Sequence, residues 1–320
     1  MSDFARIARR ALRDGGYSMR AAARALNYDP AYLSRVLNGK QRPSPQLVEA
    51  LDGLVGADGA LRAVVMDEEG ESRVAGALTR PAGVDGRTVE ALAGVLRAQR
   101  RLEDAIGPTP LIPAVRAQLE QVGTLAREAR GPHRRALLAV AAEWHQYAGW
   151  LHAAVRRDAR ALELLSAAEE LSDEAGDGTV AAVAVSFRGY VARQRGNFRG
   201  VLRASHAALH APGAHPTQRV FDTLQAAGGH AGLGEREKAR RLLGEAAEAS
   251  TRVSDPPSIV YWYSPQFFQM NIGMVSLSLD DHAAAADLLS EGLRGLPAEQ
   301  RGAEWTTEYR TALARAERAR

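Results

Sequence analysis

The sequence predicts an all-α chain in two parts, a head of five short helices followed by a longer array of paired helices. Three observations carry that expectation. Apolar residues recur at helical spacing between cap and breaker residues along most of the chain, no segment alternates convincingly as a strand would, and a frame of small residues repeats through the second half. Charge marks off the head as well: residues 1–45 hold nine basic side chains against three acidic ones, a net of +6, whereas the whole 320-residue chain carries only +3.

The head is read helix by helix. Phe4, Ile7, Ala8, Ala11 and Leu12 line one face of a first helix that Gly15-Gly16 stops. Ser18 caps a second, with Met19, Ala22, Ala23 and Leu26 as its stripe, and Asn27-Tyr28 makes a tight turn in which Asn tolerates the left-handed conformation. Asp29 as N-cap and Pro30 at the first helical position open a third helix, which ends at Asn38-Gly39 with Leu33, Val36 and Leu37 facing inward. Ser44-Pro45 opens a fourth through Val55, and Asp58 a short fifth through Val65. The pattern then lapses. The acidic run Asp67-Glu68-Glu69-Gly70-Glu71, followed by Gly76, Pro81, Gly83 and Gly86, reads as a linker, which sets a head at 1–66, a linker at 67–87 and a helical-repeat domain at 88–320.

From Thr88 onward helices of about 15 to 20 residues alternate with Gly, Pro or Asp breaks. Gly149, Ala161, Leu165 and Ala168 form a frame whose offsets recur at Gly189, Val201, Ser205 and Ala208, at Ala227, Ala239, Leu243 and Ala246, and at Gly273, Ala285, Leu289 and Gly292. Gly196 and Gly234 each lie seven residues after the first member of their repeat. Small residues at such places let paired antiparallel helices pack closely and stack into a superhelix.

Composition excludes several function classes. With 46% hydrophobic and 25% charged residues the chain is an ordinary globular one, and with only 6% aromatic residues its core rests on Ala, Leu and Val. No run reaches the roughly 18 apolar residues of a membrane span, and the start Met1-Ser2-Asp3-Phe4-Ala5-Arg6 has no apolar signal region, so a cytoplasmic protein without membrane attachment is expected. The absence of cysteine excludes disulfides, thiol catalysis and Cys-ligated zinc. His206, His210 and His215 have a spacing zinc can use, but no carboxylate accompanies them in the usual manner, so no metal is assigned; His145 and His152 read as structural or pocket-lining. Gly228 to Gly234 follows no strand and coincides with a repeat turn, which argues against a phosphate loop. No catalytic constellation and no cofactor are expected.

The segment Tyr28-Asp29-Pro30-Ala31-Tyr32-Leu33-Ser34-Arg35-Val36-Leu37-Asn38-Gly39-Lys40-Gln41-Arg42-Pro43-Ser44 resembles the recognition helix and following loop of the Cro/CI-type (XRE) helix-turn-helix family. The repeats resemble tetratricopeptide (TPR) units, with a longer period than the usual 34 residues and with Trp and Tyr mostly missing from their usual places. Together they resemble actinobacterial XRE regulators with C-terminal TPR-like domains, and more distantly the peptide-pheromone receptors of Gram-positive bacteria. The resemblance implies a lambda-repressor-like five-helix head on a TPR-like α-solenoid. It also implies a third helix in the major groove, with Ala31, Tyr32 and Arg35 toward base edges, since they lie opposite Leu33, Val36 and Leu37. Arg35 is the strongest reader, because a guanidinium bonds guanine O6 and N7 together. Ser18, Arg20, Asn38, Lys40 and Arg42 are placed to bind phosphates, with helix capping an equal alternative for Ser18 and Asn38. Pro30 and Ala31 depart from the polar readers common in the family, which weakens readout in the first turn.

The implied partners are double-stranded DNA with an inverted-repeat operator and a second copy of the chain, since half-sites spaced by whole turns normally require a dimer. An effector, a peptide or a small molecule, is a further expectation. Tyr261, Trp262, Tyr263, Phe267 and Phe268 form the densest aromatic cluster, and Trp144, Tyr147 and Trp150 form a second stripe. Either these line a pocket, with Gln269 or Asn271 bonding a ligand amide, or they are ordinary helix packing; the sequence leaves both open. The competing function is an interaction scaffold whose head binds protein rather than DNA.

Overall fold

The early helices start where the sequence supplies a cap. A computed structural model describes residues 2–253 and 255–320, and among the described residues it contains sixteen α-helices and no strand. In α1 (Asp3–Asp14), α2 (Met19–Ala25) and α4 (Pro45–Val55), the hydroxyls of Ser2, Ser18 and Ser44 accept from the N–H groups of Ala5, Ala21 and Leu47. In α3 (Pro30–Leu37) the Asp29 carboxylate accepts from Ala31 at 3.1 Å and Tyr32 at 3.2 Å. These bonds satisfy donors that a helix cannot satisfy internally. Asn27 has the left-handed φ of 56° that the α2–α3 turn requires. Phe4, Leu12, Leu33, Leu37, Leu47, Leu51 and Leu61 are buried together beneath the helices.

The fifth helix differs from its expected form. Asp58 does not cap it; the Asp52 carboxylate does, accepting from Gly59 N–H at 2.6 Å and Leu61 N–H at 2.8 Å. Nor does it stop at Val65: α5 runs Ala60–Thr79, straight through the acidic residues. The reason lies at the other end of the head, where Glu68 accepts the Phe4 N–H at 2.9 Å and places a negative charge at the amino end of α1. Arg73 on the same helix pairs with Asp85 at 3.0 Å.

The chain divides into two compact units, Met1–Ala91 and Leu92–Arg320, the division falling inside α6 (Gly86–Ile106). The second unit contains α7 (Ile112–Glu128) and then four antiparallel helical hairpins: α8 (Arg134–Ala154) with α9 (Asp158–Ala175), α10 (Gly178–Gln194) with α11 (Phe198–Leu209), α12 (Pro216–Gly232) with α13 (Arg236–Ser250), and α14 (Pro265–Ser278) with α15 (His282–Gly295). α16 (Thr307–Ala319) packs on the last hairpin. This is a solenoid, and the small-residue frame explains its packing. A Cβ at Gly149 would lie 2.7 Å from Leu165 Cγ, and one at Gly273 would lie 2.9 Å from Leu289 Cγ, so each pair of helices touches where its frame has no side chain. Gly196 and Gly234 sit in the hairpin turns with φ of 67° and 77°.

Candidate nucleic-acid interface and ligand cavity

In the head, α3 buries Leu33, Val36 and Leu37 to 1% exposure or less and leaves Ala31, Arg35 and Asn38 exposed. Arg35 Nε donates to Gln41 Oε1 at 2.9 Å, which tethers the guanidinium while its two terminal nitrogens remain unbonded among the described residues. Lys40 and Arg42 are exposed in the loop that follows, and Arg20 is exposed in the first turn of α2. Arg6 and Arg10 pair with Asp3 and Asp14, whereas Arg20, Arg35, Lys40 and Arg42 have no acidic partner among the described residues. Unpaired cations on one small unit suit a polyanion, because each contact with phosphate releases counterions.

Three of the expected contacts have local duties. Tyr32 is not free on the exposed face: its ring stacks on Tyr28 at 6.0 Å and packs against the head core, and its hydroxyl accepts the Ser44 N–H at 3.1 Å. It holds the loop between α3 and α4. Ser18 caps α2. Asn38 donates to the Ser34 carbonyl at 2.8 Å and accepts from Arg9, a residue the sequence did not single out and which this bond brings beside α3.

In the second unit the aromatic clusters meet. Tyr147, Trp150, Tyr261, Trp262, Tyr263, Phe267 and Asn271 all line one cavity, together with Phe187, Tyr190, Phe221, Trp305 and Tyr309. The rings meet mostly edge to face, for example Trp150 with Phe187 at 5.3 Å and with Tyr190 at 5.4 Å, the arrangement favoured by ring quadrupoles. Three expected lining residues do not belong. Trp144 is fully buried in the core, with its indole N–H unbonded, because successive steps of three residues on a helix drift by about 60° and carry it away from the face of Trp150. Gln269 turns outward and donates to Glu291 at 2.7 Å. Phe268 is likewise core.

The cavity wall is polar at selected points. Glu103 of α6, 9% exposed, accepts from Trp150 Nε1 at 2.6 Å, and burial pushes its carboxyl up to about 7. Asp104 accepts from Tyr261 at 2.9 Å and Trp305 at 3.2 Å, and burial raises it as well. Arg100 pairs with Glu143 at 2.9 Å, and Arg193 pairs with Glu308 at 2.9 Å while lying 5.1 Å over the Tyr190 ring. Asn271 donates to the Tyr309 hydroxyl at 3.0 Å and to the Phe267 carbonyl at 2.9 Å, so its amide N–H groups already have partners inside the protein.

The sequence held a signal for two wall residues it did not name, Phe187 and Gln225. Two positions before the first member of each repeat frame stand Tyr147, Phe187, Gln225 and Asn271, and all four line the cavity. That register is the inner face of the first helix in every hairpin. Of the histidines, His215 caps α12 through Nδ1, which accepts from Thr217 N–H, and the His210 ring bonds the His206 carbonyl at 2.7 Å. No three His, Asp or Glu side chains converge as metal ligands among the described residues.

No helix among the described residues is long and apolar enough to cross a membrane. No curated protein and no solved structure matches the chain. Residues 2–65 match the model of a helix-turn-helix domain family, a match that covers α1 to α4 and the first turns of α5 and so contains the exposed face of α3.

Proposed function

We propose that the chain is a sequence-specific transcriptional regulator of the XRE type, whose TPR-like hairpin array binds an effector and joins two copies. The observation that carries the reading is the helix-turn-helix match over residues 2–65, on a unit whose Arg20, Arg35, Lys40 and Arg42 are exposed without acidic partners. In this reading α3 enters the major groove, Arg35 reads a base, Ala31 contacts a thymine methyl, and Arg20, Lys40 and Arg42 hold phosphates. Ser18 and Asn38 contribute by capping. The effector is a small organic molecule in the cavity of the second unit, whose wall is mostly aromatic with a few polar groups, the make-up usual for such sites. The second copy docks on α6, where Val95, Leu102 and Ile106 remain 40 to 47% exposed.

The test is selection of duplexes from a random library with the full chain, followed by a salt titration. An inverted repeat should be enriched, and log affinity should fall linearly with log salt. Lys40→Ala with Arg42→Ala should weaken all duplexes alike and lower the salt slope of the two-headed complex by about 4, two contacts in each head. A chain without duplex affinity even at low salt would turn the head into a protein-binding module and end this reading.

A further inference from the structure

The charges around the aromatic cavity do not cancel. Both guanidinium groups in its wall are charge-paired, Arg100 by Glu143 and Arg193 by Glu308, each at 2.9 Å, while Arg100 Nη2 and Arg193 Nε have no hydrogen-bond partner among the described residues. Glu103 and Asp104 are left, and the side chains that bond them, Trp150, Tyr261 and Trp305, are neutral. Acidity continues outward, because Glu103 and Glu308 also line an adjoining depression with Glu304, between the rings of Trp150, Tyr190 and Trp305. The protein already contains a small version of the complex such a place could form: the Arg193 guanidinium lies over the Tyr190 ring and against the Glu308 carboxylate.

We propose that the cavity takes an organic cation, an alkyl or quaternary ammonium group lodged among Trp150, Tyr190 and Trp305 and neutralised by Glu103 and Asp104. Electron-rich ring faces attract a cation whose hydration is weak, and a carboxylate in a dry wall attracts it further. An anion would meet the Asp104 carboxylate and, above about pH 7, that of Glu103, and a neutral apolar ligand would leave that charge buried without a counter-charge. Burial favours the protonated Glu103, so a permanent cation must compete with that proton and binds more tightly as pH rises through about 7. The other charged groups around that space are Arg100 and Asp104 on α6, Arg193 on α10, and Glu304 and Glu308 from the C-terminal segment; burial holds Tyr147 and Tyr261 neutral throughout this range.

This inference rests on the effector reading and names the ligand class for it. The test uses the full chain and three probes of matched size: benzyltrimethylammonium, its uncharged carbon isostere neopentylbenzene, and phenylacetate, with binding followed by tryptophan fluorescence and calorimetry. The ammonium probe should bind at least about tenfold more tightly than the isostere and should gain affinity from pH 6 to pH 8. Glu103→Gln, which retains an acceptor for Trp150, should remove most of the preference and flatten the pH profile, with isostere binding reporting an intact cavity. Equal binding of all three probes, or preference for phenylacetate, would overturn the cation assignment while leaving an effector cavity in place. An ammonium probe that binds as expected but leaves duplex affinity unchanged would instead count against the effector role alone. Failure of every probe to bind would overturn both.

Discussion

In the proposed reading, Arg35 is the residue on which sequence recognition by the head depends. Its Nε is tied to Gln41, so the side chain pays less conformational entropy when its terminal nitrogens meet a base. Arg35→Ala should cost about 1 to 3 kcal/mol on the preferred duplex and relax discrimination at one base pair in each half-site, measured by competition against single-base variants. An unchanged ratio of specific to scrambled binding would remove Arg35 from the readers. Its outward placement was legible because helical periodicity alone fixes which residues oppose Leu33 and Leu37. Tyr32 was not legible, because its commitment is to Ser44, twelve residues away in the chain. Asp222 was also missed, being an acidic residue wholly inside the second unit. Ser186 donates to it at 2.5 Å and Gln218 at 2.8 Å, yet desolvation outweighs both bonds and pushes its carboxyl up to about 7. Between about pH 4 and pH 7 the folded chain therefore keeps a proton that the unfolded chain has lost, and stability falls as pH rises through that window. Asp222→Asn can donate to Ser186 and accept from Gln218, so it should be more stable than the parent above pH 7, by up to about 4 kcal/mol. The gap should narrow steadily toward pH 4 in thermal denaturation, while the variant's own stability keeps a residual slope of the same sign from Glu103. A gap independent of pH would show that Asp222 is ionised in its site.

The hairpins show how far a repeat frame can be read. Its small residues were visible in sequence, and they mark helix–helix contact at Gly149 and Gly273. The frame also contained a turn position that residue type concealed. Seven residues after the first member stand Arg156, Gly196, Gly234 and Asp280, and all four adopt left-handed φ, from 61° to 77°. Only two are glycine, so the turn was recognisable in two hairpins and hidden in the others by side chains that pay for an unfavourable backbone. A Cβ at Gly196 or Gly234 meets no other atom within 4 Å, which makes the backbone the sole cost. Gly196→Ala or Gly234→Ala should therefore destabilise the second unit by about 1 to 2 kcal/mol. Arg156→Gly should stabilise it by about 0.5 to 1 kcal/mol, the relief of strain less the added freedom of the unfolded chain. Urea unfolding of all three variants decides the matter, and a destabilising Arg156→Gly would mean that its contacts with Asp158 and the Gln194 carbonyl outweigh the strain. The continuation of α5 escaped notice for a different reason. Composition marks Asp67 to Glu71 as a linker, and only the bond from the Phe4 N–H to Glu68, 64 residues apart in sequence, shows what one of those acids does.

At the scale of the whole molecule, a head with a net charge of +6 over residues 1–45 is carried by a remainder whose net charge is −3. Attraction to a polyanion is thus concentrated in a small unit, and one such unit covers too little DNA to bind tightly by itself. Joining two heads makes the second contact intramolecular and raises affinity without any new bond to DNA. The surface proposed for that joining is the exposed stripe of α6 in the second unit. Val95 and Leu102 lie seven residues apart, with exposed Ala98 and Ala105 completing the alternating spacing of three and four that forms a seam between two helices. Leu102→Glu combined with Val95→Glu would place charges along that seam at positions already in contact with water, so the fold should remain intact by circular dichroism. Sedimentation should then report a monomer. Affinity for the inverted repeat should fall to that for a single half-site, and the salt slope should drop by about half, because half as many phosphates are contacted. A variant that remains dimeric and keeps its operator affinity would place the junction elsewhere and make the stripe ordinary surface. A monomer that keeps full affinity would show that a single head suffices, which would remove the need for an inverted repeat.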